Sequence, residues 1–129
     1  CPTPDYVLDG RYMDWAAQNV AENGGSLAVS HDIESAYAGA DVVYAKSWGA
    51  LPYFGNWEPE KPIRDQFKHF MVDEAKMALT NNGVFSHCLP LRRNVKASDA
   101  VMDSPNCIAI NEAENRLHVQ KAIMSALIG

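Results

Sequence analysis

The apolar run from Val84 to Leu89, opened by Gly83 and cut off by Pro90, constrains this chain more than any other stretch. It has strand character, and it ends by delivering His87, Cys88, Arg92 and Arg93 to one place. Open α/β sheets keep their ligand sites at such strand ends. Pro90 fixes its own backbone and drives Leu89 out of helical geometry, so that Cys88 and Leu89 can turn their carbonyls toward a ligand. On these residues alone two readings stay open: a binding edge, or an ordinary strand end with a buried thiol and a basic rim.

The flanking sequence alternates strand and helix signals. Arg11 to Asn23 has helical periodicity, with Tyr12, Trp15, Ala16, Val20 and Ala21 on one side and Gly24-Gly25 as the stop. Ser26 to Ser30 alternates like a short strand, and Asp32 caps a helix through Ala38 that Gly39 closes. Asp41 to Lys46 reads as a buried strand. From Ser47 to Pro62 there is no periodicity, but Trp48, Tyr53, Phe54 and Trp57 predict a long loop over the sheet's C-terminal edge; a loop that merely covers a core edge is the plainer alternative. Phe67 to Thr80 predicts a helix ended by Asn81-Asn82-Gly83. Ser98-Asp99 starts a short helix through Met102, and Ser104-Pro105-Asn106 is a turn. Ile108 to Ile110 reads as a last strand, and Ala113 to Leu127 as a last helix. This order predicts an α/β fold with a doubly wound, Rossmann-like parallel sheet and flanking helices.

Composition narrows the function. A chain of 129 residues is of single-domain size, and 47% apolar residues are ordinary for a globular protein. A net charge of -5 without a basic stripe argues against nucleic acid. No apolar run approaches the ~20 residues that cross a bilayer, so no membrane is expected. Cys1, Cys88 and Cys107 are odd in number and lack paired ligand spacing, which predicts a reduced, cytoplasmic chain without a metal. Cys107, inside Cys107-Ile108-Ala109-Ile110, reads as a buried strand thiol.

Two further passages give the strand end a context. Asp41-Val42-Val43-Tyr44-Ala45-Lys46-Ser47-Trp48 precedes it, and Glu112-Ala113-Glu114-Asn115-Arg116-Leu117-His118-Val119-Gln120-Lys121 follows it. In this order and spacing the chain resembles, over roughly its whole length, the second half of an aspartate/ornithine carbamoyltransferase. The ornithine branch of that family carries a His-Cys-Leu-Pro strand end, an upstream Asp-Val-(Ile/Val)-Tyr strand and a downstream Glu-Asn-Arg helix start. The resemblance implies two α/β domains in series, assembly as a homotrimer, carbamoyl phosphate as a substrate and no cofactor. The family's Ser-Thr-Arg-Thr phosphate loop is not found here, and the chain opens on Cys1-Pro2-Thr3-Pro4. Residues 1–129 are therefore expected to be the amino-acid-substrate domain, a fragment inactive by itself. Its helix 113–128 is expected to pack on the carbamoyl-phosphate domain and, alone, to expose Leu117, Ile123, Met124, Leu127 and Ile128.

Lys46 departs from the ornithine pattern, where an aspartate holds the substrate's α-ammonium. Two positive charges about 4 Å apart repel by about 4 kcal/mol at an effective dielectric near 20, nearly a thousandfold in affinity. Acylating the α-nitrogen removes that charge and leaves carboxylate and carbonyl acceptors for Lys46. The Lys-Ser-Trp-Gly and Leu-Arg-Arg-Asn-Val-Lys segments are similar to the branch acting on N-acetylornithine in arginine biosynthesis. N-succinylornithine, ornithine, and a non-enzymatic ligand-binding module are the alternatives. The ornithine branch's Ser-Met-Gly motif is absent from the aromatic loop.

The resemblance assigns the Cys88 and Leu89 carbonyls to the carbamoyl group and the attacking amine, and Arg116 to carbamoyl phosphate. Lys46, Trp48 and Arg92 fall to the amino-acid substrate, with Arg93 as the structural member of the arginine pair or its stand-in. Lys96 matches a lysine that can be carboxylated. A catalytic His87–Cys88 pair is the rival reading, disfavoured because adjacent strand residues point to opposite faces.

Overall fold

The computed structural model describes residues 1–46 and 49–128, which fall into two compact units, 1–36 with 49–70 and 37–46 with 71–128. In the first, α1 (Gly10–Asn23) starts where Asp9 accepts the Arg11 N–H at 3.0 Å, and it stops at Gly24. The strand expected over 26–30 does not form. Leu27 and Val29 are exposed and no strand among the described residues pairs with the segment, so its alternation has no ladder to join. α2 (Ile33–Tyr37) follows, its first turn held by Asp32 accepting the Ser35 N–H at 3.0 Å.

The aromatic segment after Trp48 is not one long loop. A 3-10 turn, Leu51–Tyr53, leads into α3 (Trp57–Asp65). Pro59 lies among the first four residues, whose N–H groups have no intrahelical acceptor, so it costs that helix little. Glu60 is fully buried. Its Oε1 accepts the Ala50 N–H at 2.8 Å, and Arg64 Nε stands 4.0 Å from Oε2. That carboxylate fastens the 3-10 turn to α3, which a polar helix start in the sequence does not announce.

The second unit is a parallel pair, β1 (Val42–Tyr44) and β2 (Val84–Ser86), with Val42 opposite Val84, Val43 opposite Phe85 and Tyr44 opposite Ser86. On the other side of β2, Cys107 forms a single parallel bridge to Phe85. The last strand expected at 108–110 shrinks to this bridge, because Ile108 spends its N–H on the Phe85 carbonyl at 2.8 Å and the helix starts at Ala109. β1 is also less buried than expected: Val42 and Tyr44 are more than half exposed, and only Val43 packs on the core. Gly83 admits a close approach, since a Cβ there would lie 2.8 Å from the Ala40 carbonyl.

The helix expected over 67–80 is broken. A 3-10 turn, Lys68–Phe70, ends it early, and buried Val72 leaves helical geometry to bridge Ala97. Asp73 then caps α4 (Glu74–Met77). α5 (Asp99–Met102) is capped by Ser98, and α6 runs from Ala109 to Ile128. Phe85, Val72, Ala97 and Val101 form the core, with Tyr37, Val43, Met77 and Leu91 against it. Along α6 only Ala109 is buried, while Leu117, Ile123, Met124, Leu127 and Ile128 are exposed. Among the described residues no helix is long and apolar enough to cross a membrane.

Phe85 has no exposed surface, so Phe85→Ala should cost about 3–5 kcal/mol, read as a lowered urea midpoint. Val42→Ala, on the exposed edge, should stay within about 0.5 kcal/mol of the parent.

Candidate functional site

Side chains alternate along a strand, and the register of β1 on β2 decides which ones meet. Tyr44 and Lys46 share a face with Ser86 and Cys88, while Val43 and Ala45 face the core with Phe85 and His87. The ladder continues one step past the strands, through the Ala45 N–H to the Ser86 carbonyl at 3.1 Å. Lys46 therefore comes down beside Cys88, with Nζ 3.2 Å from Sγ.

The first turns of α6 close the same edge. Glu112 Oε1 accepts the Tyr44 hydroxyl at 3.0 Å, and Oε2 accepts the Ser86 hydroxyl. One turn later, Arg116 Nη1 donates to the Cys88 carbonyl at 3.2 Å. A hollow of about 280 Å³ opens along Glu112, Asn115, Arg116, Val119 and Gln120. Leu89 has a φ of 47°, in the left-handed region that an ordinary side chain enters at a cost of about 1–2 kcal/mol. Its N–H donates to His87 Nδ1 at 2.8 Å, which leaves the proton of a neutral His87 on Nε2.

The charges follow from these contacts. The Lys46 ammonium donates to the Cys88 sulfur and, with the polar Tyr44 hydroxyl nearby as the lesser cause, holds its pKa below the ordinary thiol value. The Cys88 thiol beside it, and next the Glu112 carboxylate that accepts its hydrogen bond, push the Tyr44 phenol up to about 12. Burial, and next the positive charge of Lys46, lowers the pKa of His87. The edge is thus a cationic rim around two carbonyls.

Lys46, Cys88, Leu89 and Arg116 are gathered at one place. Arg92 is exposed nearby in sequence, and its guanidinium makes no hydrogen bond or ion pair among the described residues. Arg93 instead is tied to Asp99 at 2.9 Å and to Asp103 at 2.5 Å, a structural clamp. Lys96 is half-buried, and its charge reaches His87. Trp48 lies outside the described residues. His87 and Cys88 leave the strand on opposite faces, and among the described residues no hydrogen bond joins them. Sequence reasoning passed over Tyr44 and Glu112 as site residues. Their signal was spacing: Tyr44 lies two residues before Lys46 on a strand, and Glu112 four before Arg116 on a helix.

Residues 1–127 match the domain family described as aspartate/ornithine carbamoyltransferase, Asp/Orn binding domain. The chain is 89% identical over 129 residues to the N-acetylornithine carbamoyltransferase of Xanthomonas campestris pv. campestris, covering 100% of this chain and 38% of that protein. It is similar, at a TM-score of 0.96 and 89% identity, to the crystal structure of acetylornithine transcarbamylase complexed with acetylcitrulline, over 100% of this chain and 39% of that one. A variant of N-acetyl-L-ornithine transcarbamylase complexed with carbamyl phosphate and N-succinyl-L-norvaline gives a TM-score of 0.95 at 90% identity, over 98% of this chain and 38% of that one. The chain thus spans less than two fifths of the length of these proteins.

The Lys46–Cys88 contact makes a prediction about thiol chemistry. Alkylation of Cys88 by iodoacetamide, followed by peptide mapping, should show a pH midpoint below the ~8.5 of a free thiol. Lys46→Met removes the stabilising cation and should move that midpoint up; an unmoved midpoint contradicts the contact.

Proposed function

This chain belongs to the aspartate/ornithine carbamoyltransferase family, and from that premise we propose that it is the amino-acid-substrate half of an enzyme that carbamoylates the δ-amine of N-acetyl-L-ornithine. The products would be N-acetyl-L-citrulline and phosphate, a step of arginine biosynthesis. The observation that carries the reading is Lys46, whose ammonium stands 3.2 Å from the Cys88 sulfur at the strand end, within the cationic rim. A free α-ammonium is repelled there; an acylated nitrogen is not. Likeness to the proteins that act on or bind N-acetylated ligands supports acetyl as the acyl group.

In this reading the neutral δ-amine attacks the carbonyl carbon of carbamoyl phosphate. The C–N bond forms, the tetrahedral intermediate collapses, and the C–O bond to phosphate breaks. The departing phosphate takes the amine proton, so no protein base is required. The Cys88 and Leu89 carbonyls accept the carbamoyl and amine N–H groups, and Arg116 donates to the carbamoyl phosphate as its charge grows. Cys88 forms no covalent bond. Lys46 turns from the thiol to the substrate's carboxylate and acyl oxygen, with Arg92 as a second anchor and Trp48 against the substrate. Catalysis is mostly positioning.

Three further features belong to the same proposal. The exposed apolar residues of α6, from Leu117 to Ile128, pack on a carbamoyl-phosphate domain. The whole enzyme assembles as a homotrimer in the cytoplasm. Lys96 is carboxylated on Nζ, which turns a cation near His87 into an anion able to pair with Arg92; mass spectrometry under mild conditions that finds only unmodified lysine contradicts that feature.

Isothermal titration tests the reading. With carbamoyl phosphate present, the whole protein should bind N-acetylornithine at least about a hundredfold more tightly than ornithine, allowing for solvent screening of the full repulsion. Equal or tighter ornithine binding overturns the role of Lys46. Binding of N-acetylornithine without phosphate release from carbamoyl phosphate would make the chain a ligand-binding module.

A further inference from the structure

Glu112 takes no part in the reaction steps above, yet its carboxylate joins three elements at the site. Oε1 holds the Tyr44 hydroxyl at the end of β1 and Oε2 the Ser86 hydroxyl at the end of β2, and those two residues are register partners. With both oxygens engaged, the carboxylate is fixed in rotation. It does not behave as a helix cap, because its bonds reach across to the strands and not to the N–H groups of its own first turn. A negative charge there is nonetheless favoured by the helix dipole.

Residues four apart on a helix share a face, so whatever fixes Glu112 fixes the rotation of α6 at Arg116. Arg116 in turn meets the Cys88 carbonyl, and Cys88, two residues past Ser86 and just beyond the end of β2, lies on the same face. The carboxylate thus holds Tyr44 and Ser86 directly, and through the strand ends and the helix that carry them it sets where Lys46, Cys88 and Arg116 stand.

We propose that Glu112 is a positioning residue for carbamoyl transfer, clamping the ends of β1 and β2 to the first turns of α6 so that Arg116 and the Cys88 carbonyl keep their spacing. The proposal rests on the reading of Arg116 and Cys88 as carbamoyl-binding groups. Glutamine at 112 keeps an oxygen acceptor for one hydroxyl and offers an N–H to the other, so it preserves the clamp without the charge. Alanine removes both contacts.

The experiment compares Glu112→Ala and Glu112→Gln in the whole protein by steady-state kinetics, with carbamoyl phosphate and N-acetylornithine varied separately. Displacing such groups by about 1 Å costs up to about a hundredfold, so Glu112→Ala should raise KM for carbamoyl phosphate and lower kcat by about tenfold each. KM for N-acetylornithine should change less, and Glu112→Gln should recover most of the loss. The double variant Tyr44→Phe, Ser86→Ala removes the two donors without touching the carboxylate and should reproduce the alanine pattern. A lowered Tm with KM for carbamoyl phosphate and kcat unchanged overturns the proposal, as does a glutamine variant no better than alanine. A readout independent of turnover is the pH midpoint of Cys88 alkylation. It should fall in Glu112→Ala, because the anion beside the thiol is gone and the Tyr44 proton is released to the sulfur; an unmoved midpoint counts against the clamp. A parent protein that transfers no carbamoyl group, yet shows this shift, would remove the functional reading and leave the clamp standing.

Discussion

The parallel pairing of β1 with β2, Val43 opposite Phe85, governs what stands at the edge of this sheet. With a side-chain period of two, that register puts Val43, Ala45, Phe85 and His87 on the core side and Tyr44, Lys46, Ser86 and Cys88 on the other. Slipping β1 by one residue would drive the Lys46 ammonium toward Phe85 and the Tyr44 hydroxyl into an apolar core. Burying an unpaired cation is costly enough that this slip is closed to the chain. The core thus selects the register, and the register assembles the rim. Phe85 joins the two levels: its side chain anchors the core, while its backbone is bonded to Asn106 and Ile108 just ahead of α6.

The chemistry of the rim comes from what surrounds Cys88. Lys46 donates to its sulfur, and Arg116 donates to its carbonyl. These groups make a place for carbonyl and anionic oxygen, not for a cation. The proposed carbamoyl transfer asks for little else, because in it the leaving group is already good and takes the proton itself. In that proposal the work left to the protein is geometry, to which the proposed clamp by Glu112, binding only other protein groups, belongs.

Much of this was legible in the sequence, and the misses share physical causes. α1 and α5 announced themselves by periodicity and capping residues, and β1 and β2 by short apolar runs beside Gly39 and Gly83. The segment 57–65 was hidden as a helix by its prolines, although the first turn has no N–H bond for Pro59 to lose. Val72 shows the reverse: helical spacing over 67–80 gave way because one valine was worth more bridged to Ala97 in the core. The strand expected at 108–110 lost to α6, which claimed Ala109 and left Cys107 a single bridge. Tyr44, Glu112 and Glu60 escaped notice because each acts through contacts far off in sequence or under cover of a polar segment. A charge in a polar stretch reads as solvated until tertiary packing gives it a partner.

Charge inversion at Lys46 tests the central assignment most directly. In the whole protein, Lys46→Asp should lower kcat/KM for N-acetylornithine and raise it for ornithine, shifting their ratio by at least about a hundredfold as one repulsion is exchanged for an attraction. An unchanged ratio in a folded variant would contradict the assignment of the Lys46 ammonium as the group that selects an acylated substrate.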